Sequence, residues 1–240
     1  MTKFATIVVS VLMLHAGASK QAQTTPPGTV TATFVLAQQT GAVHKHAASG
    51  TLADVVLWLT PVEGPLPPPV PKSNLRLVQK NKEFTPHLLV VPAGSSVEFP
   101  NLDPFYHNVF SLFDGKRFDL GLYEAGSTRT VRFDREGISY IFCNIHPEMA
   151  AVIVVLRSPY YGISAADGSV SLHDVPPGRY RVHVWGEQLK LAPDNDAQQI
   201  VEVSPYASLG QLSLVVSPNA LANHKNKFGE DYAPVLNPRY

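Results

Sequence analysis

The sequence predicts an all-β protein of the sandwich or barrel type. Three observations carry this. Twenty-one prolines and 16 glycines punctuate short runs rich in Val, Leu and Phe, the spacing of a sandwich or barrel rather than of helices. Val97 and Phe99 alternate with Ser96 and Glu98, which gives one buried and one wet face. No stretch sustains a helical period.

The elements follow in order. Met1-Thr2-Lys3, an apolar run from Phe4 to Leu14, and Ala16-Gly17-Ala18 as a small-x-small cleavage site read as a signal peptide over residues 1–18. Residues 28–37 and 51–60 read as two strands, and a proline-rich connector from Pro61 to Pro71 is extended and semi-rigid. Strands are then expected near 87–91, 95–100, 107–112, 128–133, 138–143 and 150–157. After Pro159 a new β unit begins. Asp167-Gly168 marks a hairpin turn and Val175-Pro176-Pro177-Gly178 a tight turn, before Tyr180–Trp185 and a last strand from Leu209 to Val216. Residues 218–240 are polar and aperiodic and read as a flexible tail.

Composition excludes several functions. Lys plus Arg and Asp plus Glu both number 19, with a pI near 7.1, so no basic field points to nucleic acid. No run after the signal peptide approaches the ~20 apolar residues a transmembrane helix needs. Gly-x-Ser-x-Gly, phosphate-loop and dinucleotide motifs do not occur. A lone cysteine in an exported chain cannot form an internal disulfide, which leaves a free thiol or a metal ligand.

That cysteine opens Cys143-Asn144-Ile145-His146-Pro147-Glu148-Met149, with an imidazole three and a thioether six positions on. Thiolate, two imidazoles and a weak thioether make the copper set of electron-transfer sites. Zinc fits less well, because it rarely takes a thioether. His107 offers the second imidazole, at the point where Asp103-Pro104-Phe105-Tyr106 runs into the apolar pattern His107-Asn108-Val109-Phe110. The metal residues are therefore His107, Cys143, His146 and Met149, holding one copper.

With Val91-Pro92-Ala93-Gly94-Ser95-Ser96-Val97-Glu98-Phe99, these residues resemble the cupredoxins, above all the amicyanins, over residues 73–157. The resemblance implies a Greek-key β-sandwich and the same four ligands. It also implies that Asn108 hydrogen-bonds across to the ligand loop, and that His146 exposes an edge beside Pro147 and Phe105 as a port for a redox partner. The turns around 167 and 176 resemble a carboxypeptidase regulatory-like, or transthyretin-like, sandwich. That resemblance implies a discontinuous domain of residues 28–64 plus 158–217 around the cupredoxin segment. The whole chain looks like exported proteins labelled methylamine utilization proteins.

The expected function is one-electron transfer by a type 1 copper protein in the periplasm or outside the cell, without enzymatic activity. The alternative is an envelope copper carrier or storage protein. A chiefly adhesive module is disfavoured by the ligand set. His44 and His46, two apart in a polar loop, and His87, in a strand before the copper segment, are secondary metal candidates. Residues 73–157 are expected to fold alone.

Overall fold

The computed structural model describes residues 27–36, 52–112, 115–191, 199–216 and 224–232. The signal-peptide reading and the His44/His46 candidate lie outside them. Eighteen strands and no helix occur among the described residues. They begin with β1 (Gly28–Leu36), β2 (Val56–Pro61), β3 (Leu75–Arg76), β4 (Val78–Lys80), β5 (Glu83–Thr85) and β6 (Leu88–Pro92). Next come β7 (Ser95–Pro100), β8 (His107–Ser111), β9 (Phe118–Tyr123), β10 (Thr128–Phe133), β11 (Gly137–Phe142) and β12 (Ala150–Leu156). The last are β13 (Tyr161–Ile163), β14 (Ser169–Val175), β15 (Gly178–Trp185), β16 (Leu189–Leu191), β17 (Ile200–Val203) and β18 (Tyr206–Val216).

The first described strand, β1, pairs with the last, β18. One four-stranded sheet runs β14-β1-β18-β16 and another runs β13-β2-β15-β17. Val30 and Phe34 of β1 and Leu172 of β14 meet Leu57 and Leu59 of β2 and Val182 of β15 in one buried cluster. Residues between β2 and β13 form a second strand group. Its five-stranded sheet, β6-β12-β11-β8-β9, faces the three-stranded sheet β10-β7-β3, with the short pair β4-β5 beside them. Val97, Phe99, Phe133, Ile141, Ala151, Ile153 and Val155 fill the space between.

A third cluster joins the two groups. Leu88, Val90, Phe110, Phe142, Val152, Val154 and Leu156, from the five-stranded sheet, pack with Val56 of β2, against Trp58, Tyr161 and Trp185. Successive side chains of a strand point to opposite faces, so Ala151, Ile153 and Val155 enter one core while Val152, Val154 and Leu156 enter the other. This alters the expectation that residues 73–157 fold alone, because the isolated segment would bare that whole apolar face.

The Asp167-Gly168 turn also differs from its expected role. Gly168 has φ +82° and an added Cβ would lie 2.5 Å from the Phe34 carbonyl oxygen, so the position requires glycine. The flanking strands, however, do not pair as a hairpin: β13 hydrogen-bonds β2 in one sheet, while β14 pairs β1 in the other. The Pro176-Pro177-Gly178 turn is a second crossing between the sheets, held by Tyr180, whose hydroxyl donates to the Pro176 carbonyl oxygen at 2.9 Å.

Candidate metal centre

Three strand ends meet at the site. His107 is the first residue of β8, Cys143 follows the last residue of β11, and the ligand loop 143–149 leads into β12. β11 pairs β12 along its length, and Phe142 lies opposite Phe110 of β8, which fixes the cysteine relative to His107. The loop is closed by two peptide hydrogen bonds, Cys143 N–H to Met149 O at 3.3 Å and Met149 N–H to His146 O at 3.1 Å.

The closure brings three donors together. Sγ of Cys143 lies 3.8 Å from Nδ1 of His107 and 3.6 Å from Nδ1 of His146, and the two nitrogens are 3.1 Å apart. All three residues are buried, and this is the metal-competent group found among the described residues. Typical metal–sulfur and metal–nitrogen bonds of roughly 2.3 and 2.0 Å meeting near 120° place sulfur and nitrogen roughly 3.7 Å apart. The two sulfur–nitrogen spacings match that value. Met149 is fully buried in the core cluster that contains Cys143. Soft thiolate with two imidazoles suits copper, so the residues fit the ion expected from the sequence.

Protonation is arranged for binding. Burial pushes the Cys143 thiol up, while peptide N–H groups of Asn108, Ile145 and His146 at the sulfur favour the thiolate. Burial, with the neighbouring His107, depresses His146 and favours the neutral ring a metal requires. His107 Nε2 lies 2.8 Å from Oδ2 of Asp103. The carboxylate can only accept, so the imidazole proton sits on Nε2 and the Nδ1 lone pair faces Cys143 and His146.

Asp103 is the participant that sequence reasoning missed. Its carboxylate also accepts the peptide N–H groups of Asn81 at 2.6 Å and Lys82 at 2.9 Å. Burial opposes ionisation there, but these N–H donors and His107 outweigh it and hold the carboxyl below its ordinary value. Fully buried Asn101 shapes the turn: its side chain accepts from Asp103 N–H at 3.0 Å and donates to Phe105 O at 2.8 Å. Asp103 stands four residues before His107 in a turn with a single asparagine, a spacing that does not by itself mark it as a histidine partner.

Asn108 meets the ligand loop through its peptide N–H, while its side chain turns to a neighbouring strand. Its side-chain amide donates to Oδ1 of Asp119 on β9 at 2.7 Å, and its Oδ1 is buried without a partner among the described residues. A charged acceptor is the stronger attraction, so the Asn108 peptide N–H, rather than its side chain, faces the Cys143 sulfur. His87 stands away from the cluster: Nε2 is 2.5 Å from Oε2 of Glu187, and Nδ1 is 3.1 Å from the Ala150 carbonyl oxygen.

At the mouth, Phe105 packs its ring against both imidazoles, with centroids 5.2 Å from His107 and 5.8 Å from His146. His146 keeps 7% of its surface exposed, and Leu102, Tyr106 and Ile145, next in sequence to Asp103, His107 and His146, are exposed. The supposed tail also reaches the loop. Residues 224–232 lie against it, with His224 Nε2–H donating to Pro147 O at 2.8 Å and the Tyr232 hydroxyl donating to Cys143 O at 2.9 Å. This corrects the flexible-tail expectation for those nine positions.

No protein-family model and no curated protein matches the chain. Among solved structures, a purple cupredoxin from Nitrosopumilus maritimus aligns at 22% identity and a TM-score of 0.32, over 35% of this chain and 100% of that one. The Cu(I) form of an amicyanin mutant aligns at 17% identity and a TM-score of 0.34, over 41% and 99%. A copper-containing nitrite reductase from Thermus scotoductus SA-01 aligns at 24% identity and a TM-score of 0.33, over 36% of this chain. The aligned part spans about a fifth, 22%, of that reductase.

Proposed function

We propose that the chain is an exported type 1 copper protein that carries single electrons. The observation behind this reading is the convergence of Sγ of Cys143 with Nδ1 of His107 and of His146 in a buried pocket. His107, Cys143 and His146 would hold copper strongly and the Met149 thioether would be a weaker fourth ligand; copper bound there would supply a one-electron Cu(I)/Cu(II) couple. The chain's own part is to fix the donors. Asp103 sets the His107 tautomer, the loop's peptide N–H groups favour the thiolate, and Phe105 with the core excludes water.

In this reading the apolar surface of Leu102, Tyr106 and Ile145 receives a redox partner protein briefly, for which a small interface suffices. Export to the periplasm or beyond rests on the signal-peptide pattern. No helix among the described residues is long and apolar enough to cross a membrane. The two four-stranded sheets would form the transthyretin-like sandwich that mounts or docks the copper-bearing unit.

The alternative is a copper carrier, and its exchangeable site gives the test. Loaded protein is mixed with a competing chelator and, separately, with a small redox mediator. Slow copper loss in both oxidation states with fast electron exchange is expected. Rapid Cu(I) transfer with sluggish exchange overturns electron transfer and makes the chain a carrier.

A further inference from the structure

The ligand loop has a second set of contacts that neither strand of its hairpin supplies. His224 stacks on Phe142, with ring centroids 4.0 Å apart at an interplanar angle of 22°, while its Nε2–H donates to Pro147 O. The Lys227 peptide N–H donates to Oδ1 of Asn144 at 2.9 Å, and the Lys227 ammonium reaches Asp119 at 2.7 Å. The Tyr232 hydroxyl donates to the Cys143 carbonyl oxygen, and its ring meets His224 edge-on at 5.3 Å.

The segment is itself organised for this task. Asn226 accepts through its side chain from Phe228 N–H at 2.9 Å and Glu230 N–H at 3.0 Å. Peptide bonds Gly229 N–H to Asn226 O and Asn226 N–H to Glu230 O, both 2.9 Å, close the turn, and Gly229 takes φ +80° at its bend. The turn therefore presents His224 and Tyr232 together to the loop. Three hydrogen bonds land on Cys143, Asn144 and Pro147, within the loop that carries two of the three clustered donors.

We infer that residues 224–232 are a clamp on the ligand loop, and that His224, Lys227 and Tyr232 are positioning residues which hold Cys143 and His146 in place without touching a metal. Cys143 and Pro147 carbonyl groups are fixed from outside while the Cys143–Met149 and Met149–His146 hydrogen bonds fix the loop from inside. Opening the loop breaks both sets together. The clamp rests on the copper reading only for its consequence, slow metal exchange.

The test uses full-length protein with Tyr232→Phe, His224→Ala and His224→Gln, the last keeping an N–H donor for Pro147 O. In metal-free protein, amide hydrogen exchange at Cys143 and Met149 is expected to rise about fivefold for each hydrogen bond removed. Exchange at Ile153 and Val155 of β12 stays at the wild-type rate, and His224→Gln restores part of the protection. In loaded protein, copper release to a chelator accelerates in parallel. Unchanged loop exchange in Tyr232→Phe and His224→Ala overturns the clamp, and so does an equal rise in β12, which would make the segment a general stabiliser. Faster loop exchange in a protein that binds no copper keeps the clamp and sinks the copper reading instead.

Discussion

At His107 a single proton decides what the residue can do. With Nε2–H donated to Asp103, Nδ1 keeps its lone pair for the cluster. Asp103→Asn keeps the shape but replaces one accepting oxygen by an amide NH2, and Oδ1 now accepts from Asn81 N–H while Oδ2 accepts from Lys82 N–H and His107 Nε2–H, so at least one of these donors loses its acceptor. The expected outcome is a shift of the His107 proton to Nδ1 in metal-free protein, read by nitrogen NMR. A stability loss of about 1–3 kcal/mol accompanies each donor left unpaired. An unchanged tautomer would show that Asp103 supports the turn alone. The cluster of His107, Cys143 and His146 was legible in the sequence because unusual side chains fall in two short stretches. Asp103 was not, since its role depends on how Asn101 folds the turn, and nothing in its spacing distinguishes it from an ordinary surface aspartate.

At the scale of elements, β12 shows what periodicity could and could not disclose. Ala150–Leu156 reads as a continuous apolar run, which marks a strand buried on both faces, but the run does not say what covers the second face. Here Ile153 belongs to the inner core and Leu156 to the cluster beneath β2, β13 and β15. Ile153→Ala and Leu156→Ala should each cost about 2–5 kcal/mol in denaturant unfolding. A strand with one wet face would lose one of them within ~0.5 kcal/mol. Strands 95–100 and 128–133 were placed to the residue by their patterns. β9 escaped notice because only Tyr123 of it is fully buried, Gly121 interrupts it and Asp119 sits within it, and β3 to β5 are only two or three residues long. The clamp at 224–232 has neither period nor apolar run, since hydrogen bonds rather than burial hold it.

For the whole molecule, the contact between the two strand groups includes the titratable pair His87 and Glu187. His87 precedes β6 and Glu187 lies in the β15–β16 turn, with the Ala150 carbonyl and the charge of Asp54 also acting on the imidazole. The hydrogen bond to Glu187, against some desolvation, raises His87 above its ordinary 6.5. A histidine raised on folding stabilises fully below its unfolded pKa and loses that contribution as pH rises through the folded value. Above the carboxylate range, the stability difference between wild type and His87→Gln should therefore be largest below pH 6.5 and shrink on the alkaline side. A difference that stays flat or grows with pH would show the pair to be unimportant. His183, depressed first by burial and then by Arg181, contributes with the opposite sign and cancels in the comparison.

If His107, Cys143 and His146 form one copper site, titration of metal-free protein with Cu(II), followed by visible absorption, must reveal it. Binding of one copper per chain is predicted, with an intense thiolate-to-copper band that Cys143→Ser abolishes. No copper bound under either oxidising or reducing loading would contradict it.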